Sequence, residues 1–398
     1  MKKAVSFFMA ILILTALVLP VNAKNYIKSG AEVEDDYTLE SDAVPEIDVP
    51  SAILIEAKTG TVLFEKNKDD ARAPASVTKV MTLLLVAEAI AEGRIALTDT
   101  VTVSAHAASM GGSQVFLKEG ERFTAEDLIK CTVISSANDA AVALAEHVAG
   151  SEGTFVDMMN KRAGELGLTS TKFENVTGLD DDVTEHTMSA SDIAVISREL
   201  IKHDCVTAYS SVWQDSIRNG EFVLTNTNRL VRYYEGCTGL KTGSTDKAGF
   251  CVTASAKRNG TELIAVVMGA ESGSARNEAA RTLLDFGFSN YTLYAPETRD
   301  VGSIRVKGCS QSSVGLYVEN FSYVIKKSDL SNVTARPELP EYVSAPMNAG
   351  DTVGKLTYYV GEEVIGSADI KICESLTRIS FTSLFGRMFI SGFCAKKS

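Results

Sequence analysis

Ser76-Val77-Thr78-Lys79 sets a hydroxyl three residues ahead of an amine. On a helix that spacing puts both side chains on one face. A serine hydroxyl becomes a useful nucleophile when a base takes its proton, and a lysine amine can do so only when uncharged. The free amine has a pKa of about 10.4, so work near neutral pH requires a drop of ~3 units, about 4 kcal/mol. Burial and a second cation both push that way. Lys241 is the candidate cation. Yet the four-residue pattern recurs at Ser244-Thr245-Asp246-Lys247, and Lys-Thr-Gly occurs at both 58–60 and 241–243. The elements around each copy decide which ones carry chemistry.

Pro74 precedes Ser76, and from Val77 to Ile90 apolar residues cover nearly every helical face, with Gly93 ending the run. That is a helix buried in the middle of a domain. A lysine there is costly unless it is used. Ser76, at the N-terminal end, has free backbone N–H groups and the positive end of the helix dipole beside it. Ser244 to Lys247 lies instead in a short connection between strands, where Lys247 reaches water. Lys58-Thr59-Gly60 falls between two alternating stretches, Ile53/Ile55 and Val62/Phe64, and reads as a hairpin tip with its lysine in solvent. Ser135 to Asp139 is a cluster of cap and turn residues interrupting a second apolar helical region. It supplies Ser136-Ala137-Asn138.

From Thr207 to Ser255 the period changes to that of strands, and Asn259-Gly260 marks a hairpin turn. "SARNEAARTLLDFGF" returns to helix and is expected to stop at Gly287. Sheet strands, clustered helices and an all-helical insert together predict an α/β layered domain. Beyond about Ala295, short alternating stretches separated by Gly, Pro, Ser and Asn predict a small all-β module.

The 398-residue chain carries a net charge of −12, which makes nucleic acid a poor partner. Lys2 and Lys3, the apolar run Ala4 to Leu19 and Val21-Asn22-Ala23 read as a signal peptide over 1–23, with a buried helix or an uncleaved anchor as alternatives. Residues 24–48 hold eight acids and few aliphatics, a disordered spacer. The domains are then expected at 49–293 and 294–372. In 373–398, Phe381, Leu384, Phe385, Met388 and Phe389 fall near helical spacing, with Arg378, Arg387, Lys396 and Lys397 supplying positive charge. An amphipathic helix lying on a membrane surface fits; a terminal helix packed on the β module is the alternative. Neither the seven cysteines nor the four histidines show metal-ligand spacing, so no metal or cofactor is expected. Cys237 and Cys251 flank the second Lys-Thr-Gly and are candidate cross-strand neighbours, either as free thiols or as a bridge.

Ser76-x-x-Lys79, Ser136-Ala137-Asn138 and Lys241-Thr242-Gly243, in that order, resemble the motif set of penicillin-binding proteins. With "APASVTKVMT", "SSANDAAVALAEHVAG", "LKTGSTDKAGFCVTASA" and "ARNEAARTLLDFGF" around them, residues 49 to 290 look like the low-molecular-mass D-alanyl-D-alanine carboxypeptidases. The resemblance implies an α+β serine-acyltransferase fold of the β-lactamase/transpeptidase type, with an antiparallel sheet and a helical insert. A small β-sandwich-like domain and the amphipathic C-terminal helix would follow. It implies that Ser76 attacks the carbonyl between two D-alanines of a peptidoglycan stem peptide and that Lys79 takes its proton. Ser136 and Lys241 would pass a proton to the leaving amine, and Asn138 would orient Lys79 and a substrate amide. The N–H groups of Ser76 and Ser244 would form an oxyanion hole worth ~3 kcal/mol per donor. Thr242, Gly243 and Arg276 complete the substrate site, with Thr242 and Arg276 on the terminal carboxylate. β-Lactam antibiotics would be covalent inhibitors. The enzyme would act in the cell wall and cell shape, outside the cytoplasmic membrane and peripherally bound to it.

One departure is Ala137, where relatives commonly have glycine; alanine cannot take a positive φ cheaply. Two other readings stand beside this one. A serine β-lactamase needs a carboxylate to activate water, for which Glu174 is the candidate. A non-catalytic wall-binding protein would retain the fold alone.

Overall fold

The structure is a computed structural model that describes residues 44–180, 183–296, 299–380, 382 and 385. The expected signal peptide, most of the acidic spacer and most of the C-terminal amphipathic segment lie outside the described residues.

Strands β1 (Ser51–Glu56), β2 (Val62–Lys66), β3 (Cys237–Thr245), β4 (Gly249–Arg258) and β5 (Thr261–Ala270) form one antiparallel sheet in the order β2-β1-β5-β4-β3. β1 and β2 are joined by the turn that holds Lys58-Thr59-Gly60, and Lys58 is exposed there. Side chains alternate across a strand. Ile53, Ile55, Ile264, Val266 and Met268 therefore join a core shared with the helices of the insert. Ala52, Leu54, Leu263, Ala265 and Val267 face the other way, into a second core with the helix that follows the sheet. Because both faces are covered, β1 and β5 read as nearly continuous apolar runs.

Between β2 and β3 the chain builds the helical insert. It includes α1 (Lys79–Ala91), α2 (Ala125–Ile134), α3 (Asn138–Ala149), α4 (Glu152–Glu165) and α5 (Ala190–Leu200). α1 is buried along most of its length, as its all-round apolar sequence demands. Thr124 starts α2 by accepting from Asp127 N at 3.1 Å. Helix α6 (Gly273–Asn290) then packs on the sheet, capped by Ser272, whose hydroxyl accepts from Ala275 N. It runs through the expected stop at Gly287. A Cβ at that position would lie 2.5 Å from Leu263 Cδ1 and 2.9 Å from Leu54 Cδ2. The glycine is there for close helix–sheet approach, which a sequence pattern cannot tell from a helix stop.

Tyr291–Tyr294 leaves α6 directly and pairs with Tyr323–Lys326. A six-stranded sheet follows, in the order Val333–Glu338, Thr352–Val360, Glu363–Ile372, Ser313–Val318, Asp300–Lys307, Tyr342–Ser344. Its own core holds Ile304, Leu316, Val318, Ile370 and Ile372. Leu376 belongs to it as well, at 1% exposure. Val333–Glu338 shows no strand signal in the sequence, because Pro337 breaks the pattern. It is an edge strand, where a missing N–H is tolerated. The described residues thus have the expected architecture, an antiparallel α+β domain with a helical insert followed by an all-β domain. Cys237 and Cys251 are both free and are not neighbours: Cys237 sits opposite Ala256 and Cys251 opposite Gly243.

Candidate active site

Ser76 lies in a 3-10 turn, Ala75–Thr78, that leads straight into α1. Lys79 is the first residue of α1 and is fully buried. Its Nζ lies 2.9 Å from Ser76 Oγ and donates to Thr177 O at 2.8 Å. Burial, then the nearby Lys241, holds its pKa well below the usual lysine range, against the pull of Asp139. The shift favours the uncharged amine beside the hydroxyl.

Ser136 and Asn138 arrive from the break between α2 and α3. Ser136 takes φ 60, an uncommon conformation for a serine, at a cost on the order of 1 kcal/mol. Ala137 takes φ −62 and is the N-cap of α3. The strained residue is therefore the serine, and alanine at 137 costs nothing, which disposes of the concern about a missing glycine. Asn138 is 1% exposed. Its Nδ2 donates to Gly111 O at 2.7 Å, and its Oδ1 has no hydrogen-bond partner among the described residues. Asp139, the next residue, accepts from the amides of Val115 and Leu117 and so holds the 111–117 loop beside the site.

Lys241 comes from β3. Its Nζ lies 2.8 Å from Ser136 Oγ and donates to Thr242 O at 2.8 Å. Burial first, and the Arg276 guanidinium second, lower its pKa to about 7. Gly243 is two residues on. A Cβ there would stand 2.7 Å from Ser76 N and 2.8 Å from Val77 N. Only glycine lets β3 lie this close to the Ser76 turn, and the approach brings the neighbouring Ser244 beside Ser76. Lys247 is exposed beyond the strand end.

Ser76, Ser136, Thr242, Gly243, Ser244 and Arg276 all line one cleft of about 410 Å³. Lys79, Lys241 and Asn138 are the buried layer behind it. Arg276, near the start of α6, is 7% exposed, and burial lowers its pKa to about 10. All nine residues singled out in the sequence thus belong to one region. Sequence reasoning missed several others. Thr227 and Arg229 also line the cleft, and Thr242 Oγ1 donates to Thr227 Oγ1 at 2.8 Å. The run Asn226-Thr227-Asn228 was the available signal, as a cluster of turn formers next to a strand. Behind the Ser76 turn, His186 Nε2 lies 2.8 Å from Thr78 Oγ1, which donates to Ala75 O. Burial lowers the His186 pKa to about 4, so the ring is neutral. A single scattered histidine gives no signal in the sequence. Glu174 points elsewhere: its carboxylate accepts from the amides of Thr184 and Glu185.

Two family models match the chain. D-alanyl-D-alanine carboxypeptidase covers residues 38–272, and the C-terminal domain of penicillin-binding protein 5 covers residues 288–378. D-alanyl-D-alanine carboxypeptidase DacF of Bacillus subtilis is 41% identical over 85% of this chain and 88% of its own length. The crystal structure of penicillin-binding protein 5 from Haemophilus influenzae superimposes with a TM-score of 0.72 at 31% identity, covering 84% of this chain and 99% of that one. Penicillin-binding protein D2 from Listeria monocytogenes, solved in its ampicillin-bound form, matches with a TM-score of 0.57 at 28% identity over 62% of this chain and 99% of its own. A cleft with two buried lysines, each beside a serine hydroxyl, on this fold and in this company, places the chain in the D-alanyl-D-alanine carboxypeptidase family of low-molecular-mass penicillin-binding proteins.

Proposed function

We propose that Ser76, Lys79, Ser136 and Lys241 carry out the serine-type D-alanyl-D-alanine carboxypeptidase reaction of this enzyme, and that its substrate is a peptidoglycan stem peptide. The observation that carries the reading is the 2.9 Å contact between Ser76 Oγ and a buried Lys79 whose pKa burial holds well below the usual lysine range. Lys79 takes the Ser76 proton as Oγ attacks the penultimate D-alanine carbonyl. The N–H groups of Ser76 and Ser244 hold the developing oxyanion. Ser136 Oγ gives a proton to the departing D-alanine amine and recovers one from Lys241. Lys79 gives up the proton it took from Ser76 and Lys241 regains one, by exchange with solvent in the cleft. Water then attacks the acyl-enzyme with neutral Lys79 again the base, and that proton returns to Ser76 Oγ as the shortened peptide leaves. An uncharged lysine has one lone pair and two N–H groups. With the lone pair on Ser76 and one N–H on Thr177 O, the unpartnered Asn138 Oδ1 is the fitting acceptor for the other. The same amide orients the substrate. Thr242 and Arg276 receive the terminal carboxylate, which a planar guanidinium suits.

β-Lactams present a carbonyl and a carboxylate in a similar arrangement and acylate the same serine. Glu174 is occupied elsewhere, and among the described residues lining the cleft there is no Asp or Glu to activate water for fast release. That favours a long-lived penicilloyl-enzyme over β-lactamase turnover. The test is release of one D-alanine per acyl-D-Ala-D-Ala peptide. Ser76→Ala abolishes it and Ser244→Ala retains it; loss of activity in Ser244→Ala with survival in Ser76→Ala overturns the assignment.

Peptidoglycan lies outside the cytoplasmic membrane, so the enzyme works there. No helix among the described residues is long and apolar enough to cross a membrane. The basic amphipathic pattern of 373–398 supports peripheral attachment to an anionic surface. Co-sedimentation with anionic vesicles, lost on deleting 381–398, is the expected result; equal binding by the shortened chain overturns it.

A further inference from the structure

The cleft contains a cation that the reaction scheme leaves unused. Arg229 immediately precedes the short helix Leu230–Tyr233, and it lines the same cleft as Ser76, Thr242 and Arg276. Resting on the proposed function, we propose that Arg229 and Arg276 together form a two-guanidinium site for the C-terminal carboxylate of the peptide, with Arg276 as the inner contact and Arg229 as the outer one.

Charge pairing is the first support. Arg276 is the one arginine among the described residues that is buried, and a buried cation calls for a counter-ion. Arg162 reaches Glu88 at 2.7 Å, Arg218 reaches Glu121 at 3.1 Å, and Arg258 lies 3.8 Å from Asp285. Among the described residues neither Arg229 nor Arg276 makes an ion pair. Arg276 Nε donates to a neutral oxygen, Asn277 Oδ1, at 3.0 Å. No described residue lining the cleft is Asp or Glu. The two guanidiniums are also close enough that Arg229 contributes to lowering the pKa of Arg276. Like charges side by side without a counter-ion are unfavourable until an anion enters.

Positioning is the second support. The backbone carrying Arg229 is fixed. Asn226 Oδ1 accepts from Asn228 N, Asn228 Oδ1 accepts from Leu230 N, and Asn228 Nδ2 donates to Gly239 O on β3. Thr227 is tied to Thr242 by the hydroxyl contact already described. The exposed Arg229 side chain therefore projects from an anchored segment next to Thr242, whose hydroxyl the scheme places on the carboxylate.

The division of labour follows from burial. Arg276 is desolvated and acts at short range. Arg229 is at the rim, where a charge mainly changes the association rate and its salt dependence. In a chain of net charge −12, a local positive field offsets the repulsion an anionic peptide meets on approach.

The test uses the full chain and compares a tripeptide ending in D-Ala-D-Ala with its C-terminal amide. Arg229→Gln is expected to lower kcat/KM for the acid about five-fold through KM, with kcat retained. The loss shrinks at high salt, the amide is unaffected, and Arg229→Lys keeps most of the activity. Equilibrium binding of the acid to Ser76→Ala and to Ser76→Ala/Arg229→Gln reads the site without turnover, so it decides the inference even if the parent fails to cleave the peptide. A weaker affinity for the acid alone in the double variant supports it. Equal affinities, or equal losses for acid and amide, overturn it.

Discussion

At the residue scale, the site is two buried lysines, each beside a serine hydroxyl. Burial is the main cause of both lowered pKa values, and it has a stability consequence with a definite sign. Lys241 has a pKa of about 7 in the fold against 10.5 in an open chain. Between those values the unfolded chain holds a proton that the folded one lacks, so stability rises with pH across that window. Below pH 7 the cost of burying the charge is present in full. Lys241→Met is therefore predicted to unfold at a higher temperature than the parent at pH 6, by roughly 1–3 kcal/mol, while losing acylation. Thermal melts at pH 6 and 9 check this, and the gain must shrink at the higher pH. The burial of Lys79 was legible in the sequence because the residue heads an all-apolar helix, where a lysine is costly unless it is used. The strain at Ser136 was not legible: the sequence pointed to residue 137, and φ is decided by how the α2–α3 break folds.

At the element scale, β3 and the Ser76 turn must lie against each other. Gly243 permits that contact, with Ser76 N 2.7 Å from where a Cβ would stand. Gly243→Ala is predicted to fold, since only one edge of the sheet must shift. It should lose about 10²–10³ in the acylation rate, the scale of one misplaced oxyanion donor. Circular dichroism and penicillin labelling on the same sample separate the two effects. Helix and strand identities were readable from periodicity and turn residues, as with the apolar run Val77 to Ile90 for α1 and Asn259-Gly260 between β4 and β5. The end of α6 was misread because Gly287 serves packing against Leu263 and Leu54. The strand Val333–Glu338 was hidden because Pro337 and its charged neighbours suit an exposed edge.

At the whole-molecule scale, three segments separated by 60 and 105 positions in the chain meet at one cleft, as the Ser136–Lys241 contact and the approach of Gly243 to the Ser76 turn record. Convergence of this kind is invisible to any local pattern. It was inferred from the order of three motifs, and it depends on a sheet that carries β3 past the head of α1. The cleft's outer cations, Arg229 among them, were not inferable, because no local rule says which arginines of an acidic chain stay unpaired. The central claim is that a neutral Lys79, kept so by burial and by Lys241, activates Ser76. Time-resolved intact-mass measurement of penicillin acylation between pH 5 and 9, with the adduct mapped to a peptide, tests it most directly. The account predicts one adduct, on Ser76, in the parent, and almost none in Lys79→Met at any pH in that range, because no amine is left to take the Ser76 proton. An adduct on Ser244, or acylation of Lys79→Met at the parent's rate, contradicts it.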